Sequence, residues 1–184
     1  FLELEAVAHY QQHIPRSHDF MNGNGNGERM TTTADLILVN AIVLTMDEEM
    51  HQYEPGAVAV KGEDILGVGP EAEVRKAFTT DLLVDCGGKV LMPGLVNAHT
   101  HVPMTLLVHL GTQLACAELI RSGVTCFADM YYHEASVATA TAEAGLRAVC
   151  SQTVLKFPSP DAVSFEDSLA AAREFIEQWK GHPL

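Results

Sequence analysis

The chain has 184 residues, and 11 Lys and Arg against 24 Asp and Glu give a formal net charge of −13 at pH 7. Hydrophobic residues make up 47% of it, enough for a packed core, so a wholly disordered chain is excluded. The acidic balance disfavours nucleic acid as a partner, and no run approaches the ~18 consecutive apolar residues of a membrane span. The first ten residues lack the basic and apolar regions of a signal peptide, so we expect a cytoplasmic protein.

Residues 1–33 are predicted to be a flexible leader outside the fold. Asn and Gly alternate from Asn22 to Gly27, and three threonines follow at residues 31–33. Glycine-rich polar sequence without an apolar period is typical of flexible linkers.

Residues 34–92 are predicted to form a small antiparallel β-sandwich subdomain. Three pairs of short apolar, β-branched runs flank turns of two or three residues, which is typical of hairpins. The paired runs are residues 36–39 with 42–46, 57–61 with 65–68, and 82–85 with 90–92.

After Pro93 and Gly94 the pattern changes to alternating strands and helices. Strands are predicted at residues 95–98, 124–130 and 147–153, and helices at residues 111–121 and 134–144 and after Ser164. Strands separated by one helix each pair in parallel, so we predict a partial (β/α) barrel over residues 93–184. A complete barrel of eight units needs ~250 residues, and this segment supplies about three units.

Two histidines at the end of the first predicted barrel strand are the candidate metal ligands. A strand sends residues i and i+2 to the same face, so His99 and His101 direct two imidazoles the same way. They lie at the carboxyl end of the strand, where (β/α) barrels carry their active sites. Two converging neutral imidazoles suit Zn²⁺ or Fe²⁺. The alternative is a polar pair hydrogen-bonded to nearby backbone.

Other side chains near the predicted strand ends leave two interpretations open. Asp129 ends the second strand and either orients a ligand histidine or only hydrogen-bonds at the strand end. Tyr131, Tyr132 and His133 follow it and either line a pocket or pack on the surface. Met104 is predicted to pack in the core.

The sequence PGLVNAHTHVPMTLL at residues 93–107 resembles the first barrel strand of the amidohydrolase superfamily. The similar branch contains the methylthioadenosine/S-adenosylhomocysteine deaminases and the triazine hydrolases. The resemblance covers about residues 34–184, including ADLILVNAIVLTMD at residues 34–47 and GTQLACAELIRSG from Gly111. It implies the N-terminal part of a (β/α)₈ metal-dependent hydrolase barrel, preceded by a β-sandwich.

The resemblance also implies a reaction and a cofactor. It implies a hydrolase of carbon–nitrogen bonds other than peptide bonds, which deaminates an aminopurine nucleoside or a related small heterocycle. One divalent metal, zinc or alternatively iron, is held by two strand-1 histidines, which are His99 and His101 here. A strand-5 histidine and a strand-8 aspartate complete the ligand set. Those strands and the proton-shuttling residues lie beyond Leu184, so no catalytic residue is assigned.

Two departures from the family pattern are apparent. Family members carry a longer helical excursion after the first strand, whereas here Val108 and His109 run almost directly into Gly111. We therefore expect an internal segment to be missing at that point, and we give His109 no ligand role. Gln152 stands where adenosylhomocysteine-type members have an arginine, and Lys156 in the next loop is a flexible point charge, which disfavours carboxylate-bearing substrates.

Two alternatives to this deaminase remain open. The chain is either a non-catalytic fragment or splice product, which we expect to be inactive alone, or it belongs to a triazine or cyclic-amide hydrolase on the same scaffold. Three barrel strands leave open sheet edges, which would let copies of the chain pair as a homo-oligomer or aggregate.

Overall fold

The computed structural model describes residues 31–104 and 107–183. The chain divides into two compact units, with the boundary after Pro93. Residues 1–30 of the predicted leader lie outside the described residues. Its last residues do not, because β1 (Thr32–Thr33) pairs in parallel with β5 (Phe78–Thr79). The predicted leader is therefore too long by these threonines, whose partner strand lies too far along the chain for a local pattern to indicate it.

The first unit contains a five-stranded sheet. Its strands are β4 (Asp64–Pro70), β3 (Gln52–Lys61), β2 (Leu36–Leu44) and β6 (Leu83–Asp85) in that order, with β7 (Val90–Leu91) also paired to β2. The β3–β4 hairpin is antiparallel, as predicted for residues 57–61 and 65–68. A short helix, α1 (Glu71–Ala77), follows β4.

Two of the predicted hairpins are wrong. Residues 36–39 and 42–46 do not face each other, because β2 runs through Asn40 with a register irregularity and a left-handed φ of 52° there. Asn adopts this conformation more readily than most residues, so Asn40 makes a bulge instead of a turn. Strands β6 and β7 do not pair with each other, since each pairs in parallel with β2.

The central strands of this sheet are covered on both faces. Alternate residues of a strand face opposite sides, and Ala57, Val58 and Ala59 are all buried. One apolar cluster joins Ala57 and Ala59 to Ile37 and to Val74 of α1. The other cluster contains Val58, Ala41, Val43 and Val68.

The second unit contains a parallel sheet of three strands in the order β10 (Arg147–Gln152), β9 (Val124–Tyr131) and β8 (Leu95–Thr100). Helix α2 (Val108–Arg121) joins β8 to β9, α3 (Glu134–Ala144) joins β9 to β10, and α4 (Phe165–Trp179) follows β10. The predicted parallel pairing and alternation of strands and helices are confirmed. Helix α2 begins earlier than predicted, because Gly111 N–H already donates to the carbonyl of Leu107.

The core of this unit lies between the sheet and its helices. Phe127 of β9 is fully buried and packs with Cys116 of α2 and with Leu146. The hydroxyl of Ser164 accepts a hydrogen bond from the Asp167 N–H at 3.1 Å, and caps α4 as predicted. Throughout residues 31–104 and 107–183, no helix is long and apolar enough to cross a membrane.

Candidate metal site

The structure brings the two predicted ligand histidines together at the carboxyl end of β8. His99 lies in the strand, and His101 follows directly after it. Their ring centroids are 4.8 Å apart and the ring planes meet at 78°. His99 is exposed and His101 is half-buried. An ion would therefore reach this pair from solvent.

One ring nitrogen of His101 is unsatisfied. Its Nδ1 is buried and has no hydrogen-bond partner among the described residues. Burial of an unpaired polar atom is costly, and such atoms in folded proteins call for an explanation. A divalent ion or one of its bound waters would satisfy this nitrogen, and the imidazole pair has the donor chemistry that zinc and iron prefer. The residues present thus fit a metal, and the role of His99 and His101 as ligands stays a prediction.

Asp129 holds the backbone immediately after the histidine pair. Its side chain is 2% exposed, and its Oδ1 accepts a hydrogen bond from the Val102 N–H at 2.8 Å. Of the two interpretations left open by the sequence, the structure supports a hydrogen-bonding residue at the strand end. Asp129 acts on the peptide that follows His101, and its Oδ2 has no partner of its own.

Glu134 is a site residue that the sequence analysis missed. It is the first residue of α3, is fully buried, and accepts a hydrogen bond from the Tyr131 N–H on Oε1 at 2.8 Å. Burial, together with the hydrogen bond and negative charge of Asp129, raises the pKa of Glu134 to about 8. The signal was a second carboxylate shortly after Asp129, at a predicted helix start where an exposed acidic residue is ordinary.

Aromatic rings extend from the histidines along the end of β9. The ring centroid of Tyr131 lies 5.4 Å from that of His101, and Tyr132 lies 4.6 Å from Tyr131. The structure therefore places Tyr131 beside the candidate site, a position consistent with the interpretation that it lines a pocket. Met104 is wrong as a core residue, because it is 65% exposed in the loop after the histidines, away from the layer between sheet and helices.

A third carboxylate connects the ends of β9 and β10. Asp161, in the loop after β10, accepts hydrogen bonds from the His133 N–H, from Gln152 Nε2 and from the Ser159 hydroxyl at 2.7–2.8 Å. Burial alone would raise the pKa of Asp161, but these hydrogen bonds outweigh it and lower the pKa. His133 contributes only its backbone to this network, and it adopts a left-handed φ of 58°. Sequence reasoning missed Asp161, whose partners come from two different loops.

His109 lies away from the strand end. In helix α2 its Nε2 is 3.1 Å from Glu143 Oε2 of α3, so it takes part in a contact between helices. Lys156 is exposed in the loop after β10.

An unpredicted group of metal-ligating types occurs in the first unit. Ligand atoms of Asp47, Glu49 and His51 converge within 4.8 Å, the one such group of three within the described ranges. His51 Nδ1 lies 2.7 Å from Asp47 Oδ2, and the His51 N–H donates to Asp47 Oδ1. These two contacts close the turn between β2 and β3.

Comparison with known proteins places this geometry in a family. Residues 90–182 match the model of a family described as the amidohydrolase family. A 5-methylthioadenosine/S-adenosylhomocysteine deaminase from Syntrophobacter fumaroxidans is 40% identical over 182 positions, which take in 84% of this chain and 42% of the relative. The aligned 84% of this chain contains fewer residues than the 182 aligned positions, so the relative carries residues that have no counterpart here. That they fall near Val108 and His109 stays a prediction.

Solved structures agree with this assignment. A zinc-bound adenosine deaminase from Xanthomonas campestris superposes with a TM-score of 0.76 at 32% identity, over 84% of this chain and 42% of that one. A triazine hydrolase from Arthrobacter aurescens gives a TM-score of 0.61 at 19% identity, over 80% and 43%, and shows the fold alone. The architecture is that of a partial TIM-barrel-like α/β hydrolase, and the chain spans about 42% of the length of its relatives.

Proposed function

Because the chain belongs to the amidohydrolase family, we propose that it forms part of a metal-dependent hydrolase that deaminates an aminopurine nucleoside or a related heterocycle. The observation that carries this proposal is the pair His99 and His101, whose rings lie 4.8 Å apart at the end of a parallel strand. The unpartnered, buried Nδ1 of His101 supports it. The first-unit sheet would belong to the β-sandwich of such an enzyme, and the second unit would supply about three units of its barrel.

His99 and His101 would hold one divalent ion, with zinc as the first choice and iron as the alternative. When bound, a divalent ion supplies Lewis acidity and allows water to be activated at neutral pH. Two imidazoles fill half of a tetrahedral set. The remaining ligands, by family resemblance a histidine and an aspartate, would come from later strands.

The other residues at the strand ends would bind and orient the substrate. Tyr131 and Tyr132 offer aromatic surfaces beside the histidines, on which a flat heterocycle can stack. Asp161 is held as a carboxylate by its hydrogen bonds and engages the amide of Gln152. A negative charge there disfavours an anionic substrate at the end of β10, so we expect a neutral one.

The 184-residue polypeptide by itself would be non-catalytic. Among the described residues, no third ligand-type side chain joins His99 and His101, and the one group of three such side chains lies in the first unit. We therefore expect this polypeptide to bind zinc weakly and to show no deaminase activity alone.

Zinc titration by calorimetry tests the proposal on the full 184-residue chain. The parent should bind Zn²⁺ weakly and reversibly, and either His99→Ala or His101→Ala should abolish that binding. Protons compete with metal for imidazole nitrogen, so affinity should fall on acidification.

Two matched histidine variants serve as controls. His109→Ala and His133→Ala should bind zinc like the parent, because His109 pairs with Glu143 and His133 contributes its backbone to Asp161. Parent-like binding by His99→Ala would show that the ligand assignment is wrong.

A further inference from the structure

Two buried carboxyl groups meet behind the candidate metal site. Asp129 is 2% exposed and Glu134 is fully buried. Each has one oxygen satisfied by a backbone amide at 2.8 Å, from Val102 for Asp129 and from Tyr131 for Glu134. The first of these amides directly follows His101, and the second belongs to the tyrosine whose ring contacts His101. The two groups thus hold the backbone directly after His101 and the backbone of the tyrosine beside it.

The remaining oxygens of the two groups have no such donor. Neither Asp129 Oδ2 nor Glu134 Oε2 receives a hydrogen bond from an N–H or hydroxyl group within the described residues. Contact with Asp129 is among the causes that raise the pKa of Glu134, so the two carboxyl groups lie against each other. Ionised carboxylates only accept hydrogen bonds, and two buried negative charges in contact repel strongly. A single proton removes both problems, because a protonated Glu134 can donate to Asp129.

We propose that Asp129 and Glu134 share one proton, and that as positioning residues they fix the backbone that follows His101 and the backbone of Tyr131 beside it. The positioning role rests on the proposed metal site, whereas the shared proton does not depend on it. Neither residue is proposed as a ligand or to take part in the reaction.

The surroundings of the pair favour one proton and one charge. From β10, the thiol of Cys150 lies against Glu134, and burial together with both carboxyl groups raises the pKa of Cys150 to about 12. Cys150 therefore stays neutral at physiological pH. From α2, Cys116 faces Cys150, and burial raises its pKa too. The largest causes of the raised pKa of Glu134 are burial and Asp129, and a proton on the pair lowers its charge.

The pH dependence of stability follows from this arrangement. The pKa of Glu134 is raised from an ordinary value of 4.5 to about 8 in the folded chain. Between these two values the folded state holds a proton that the unfolded state has released. The contribution of Glu134 to the stability of the fold is therefore full below pH 4.5. It is lost as the pH rises towards 8, and the folding equilibrium constant falls by up to about tenfold per pH unit.

Glu134→Gln tests the shared proton, because its amide can donate to Asp129 without titrating. Urea unfolding of the full chain should be measured between pH 5 and 8.5. The parent should lose stability as the pH rises, and the variant should show a flatter dependence. Glu174→Gln, an exposed carboxylate on α4, should retain the parent dependence. A parent-like dependence in Glu134→Gln would overturn the shared proton.

Zinc titration of Asp129 variants tests the positioning role. Asp129→Ala frees the Val102 amide, and the zinc affinity should fall about fivefold, the equivalent of one hydrogen bond. Asp129→Asn keeps an acceptor for Val102 and a donor for Glu134, so it should restore the parent affinity. Equal affinities for the Ala and Asn variants would overturn this role.

The two proposals fail in distinguishable ways. If Asp129→Ala does not fold, Asp129→Asn still decides, since a large loss of zinc binding by that folded variant would contradict the positioning role. If the parent itself binds no zinc, or if His99→Ala binds as the parent does, the metal site and the positioning role fail together. The pH dependence of Glu134→Gln would then still decide whether the proton is shared.

Discussion

The central strands of the two sheets differ in how they are covered. In the first unit, Ala57, Val58 and Ala59 are consecutive in β3 and all are buried, so apolar clusters cover both faces. In the second unit, β9 alternates between buried Phe127 and Asp129 and the half-exposed Met130. The exposed large apolar side chains of the first unit lie on β6 and β7, directly beside these strands, and in the turn between β2 and β3.

The exposed face of the second sheet runs across all three strands. Val96 on β8, Met130 on β9 and Val149 on β10 are 44–50% exposed. The ladder places Val149 beside Ala128 and Val96 beside Cys126, so these residues share the face of Met130. Parallel sheets are usually covered on both faces. The second unit therefore has a packed helical side and an apolar side without a layer among the described residues.

This contrast shows that the buried carboxyl groups belong to the packed side of the second sheet. Asp129 is buried on β9 as Phe127 is, and Glu134 begins helix α3, which packs on that side. Substitutions on that side should therefore affect stability far more than substitutions on the open side.

The largest expected effect is at Phe127. Phe127→Ala removes a fully buried ring from the core between sheet and helices, and should destabilise the second unit by about 3–5 kcal/mol. Val149→Ala on the exposed face should cost less than about 1 kcal/mol, because much of its side chain already meets water. Urea unfolding followed by circular dichroism measures both. A similar loss of unfolding free energy in Phe127→Ala and Val149→Ala would mean that the exposed face of the second sheet is covered in solution.

An intermediate effect is expected on both faces of the first sheet. Ile37→Ala, in the cluster with α1, should cost about 2–5 kcal/mol. Val43→Ala, in the other cluster, should cost about 1.5–3 kcal/mol. The same unfolding experiment applies, and a negligible cost at either position would show that only one face of this sheet is packed.

The smallest effect is expected at the bulge in β2. Asn40 has a left-handed φ, and its Nδ2 donates to Asp85 Oδ1 at 2.7 Å. Asn40→Ala loses that bond and strains the backbone, for about 1–2 kcal/mol. Asn40→Gly loses only the bond and should cost less in thermal unfolding. If Gly is the worse variant, backbone conformation does not set the cost at this position.

Local patterns predicted the second unit better than the first. Apolar runs separated by helices imply parallel strands, and strand alternation was enough to bring His99 and His101 together. In the first unit, the same alternation suggested a turn at Asn40, because a bulge and a turn use the same residue types. The parallel pairing of β6 and β7 with β2 joins segments distant in sequence, which no local pattern encodes.

The site was predictable only where its members lie close in sequence. His99 and His101 share one strand, and Asp129 was marked by its place at a strand end. Asp161 accepts a hydrogen bond from the His133 amide of another loop, and Glu134 is buried against Asp129, so their roles depend on tertiary structure. Met104 follows an apolar pattern into a loop, where burial depends on what packs above it.

X-ray absorption by zinc bound to the full chain reports directly on the ligands of the metal. We expect two imidazole nitrogens at about 2.0–2.1 Å in the parent. This two-imidazole signature should be lost in both His99→Ala and His101→Ala and retained in His109→Ala. An unchanged spectrum in His99→Ala and His101→Ala would contradict the assignment of these histidines as the metal site.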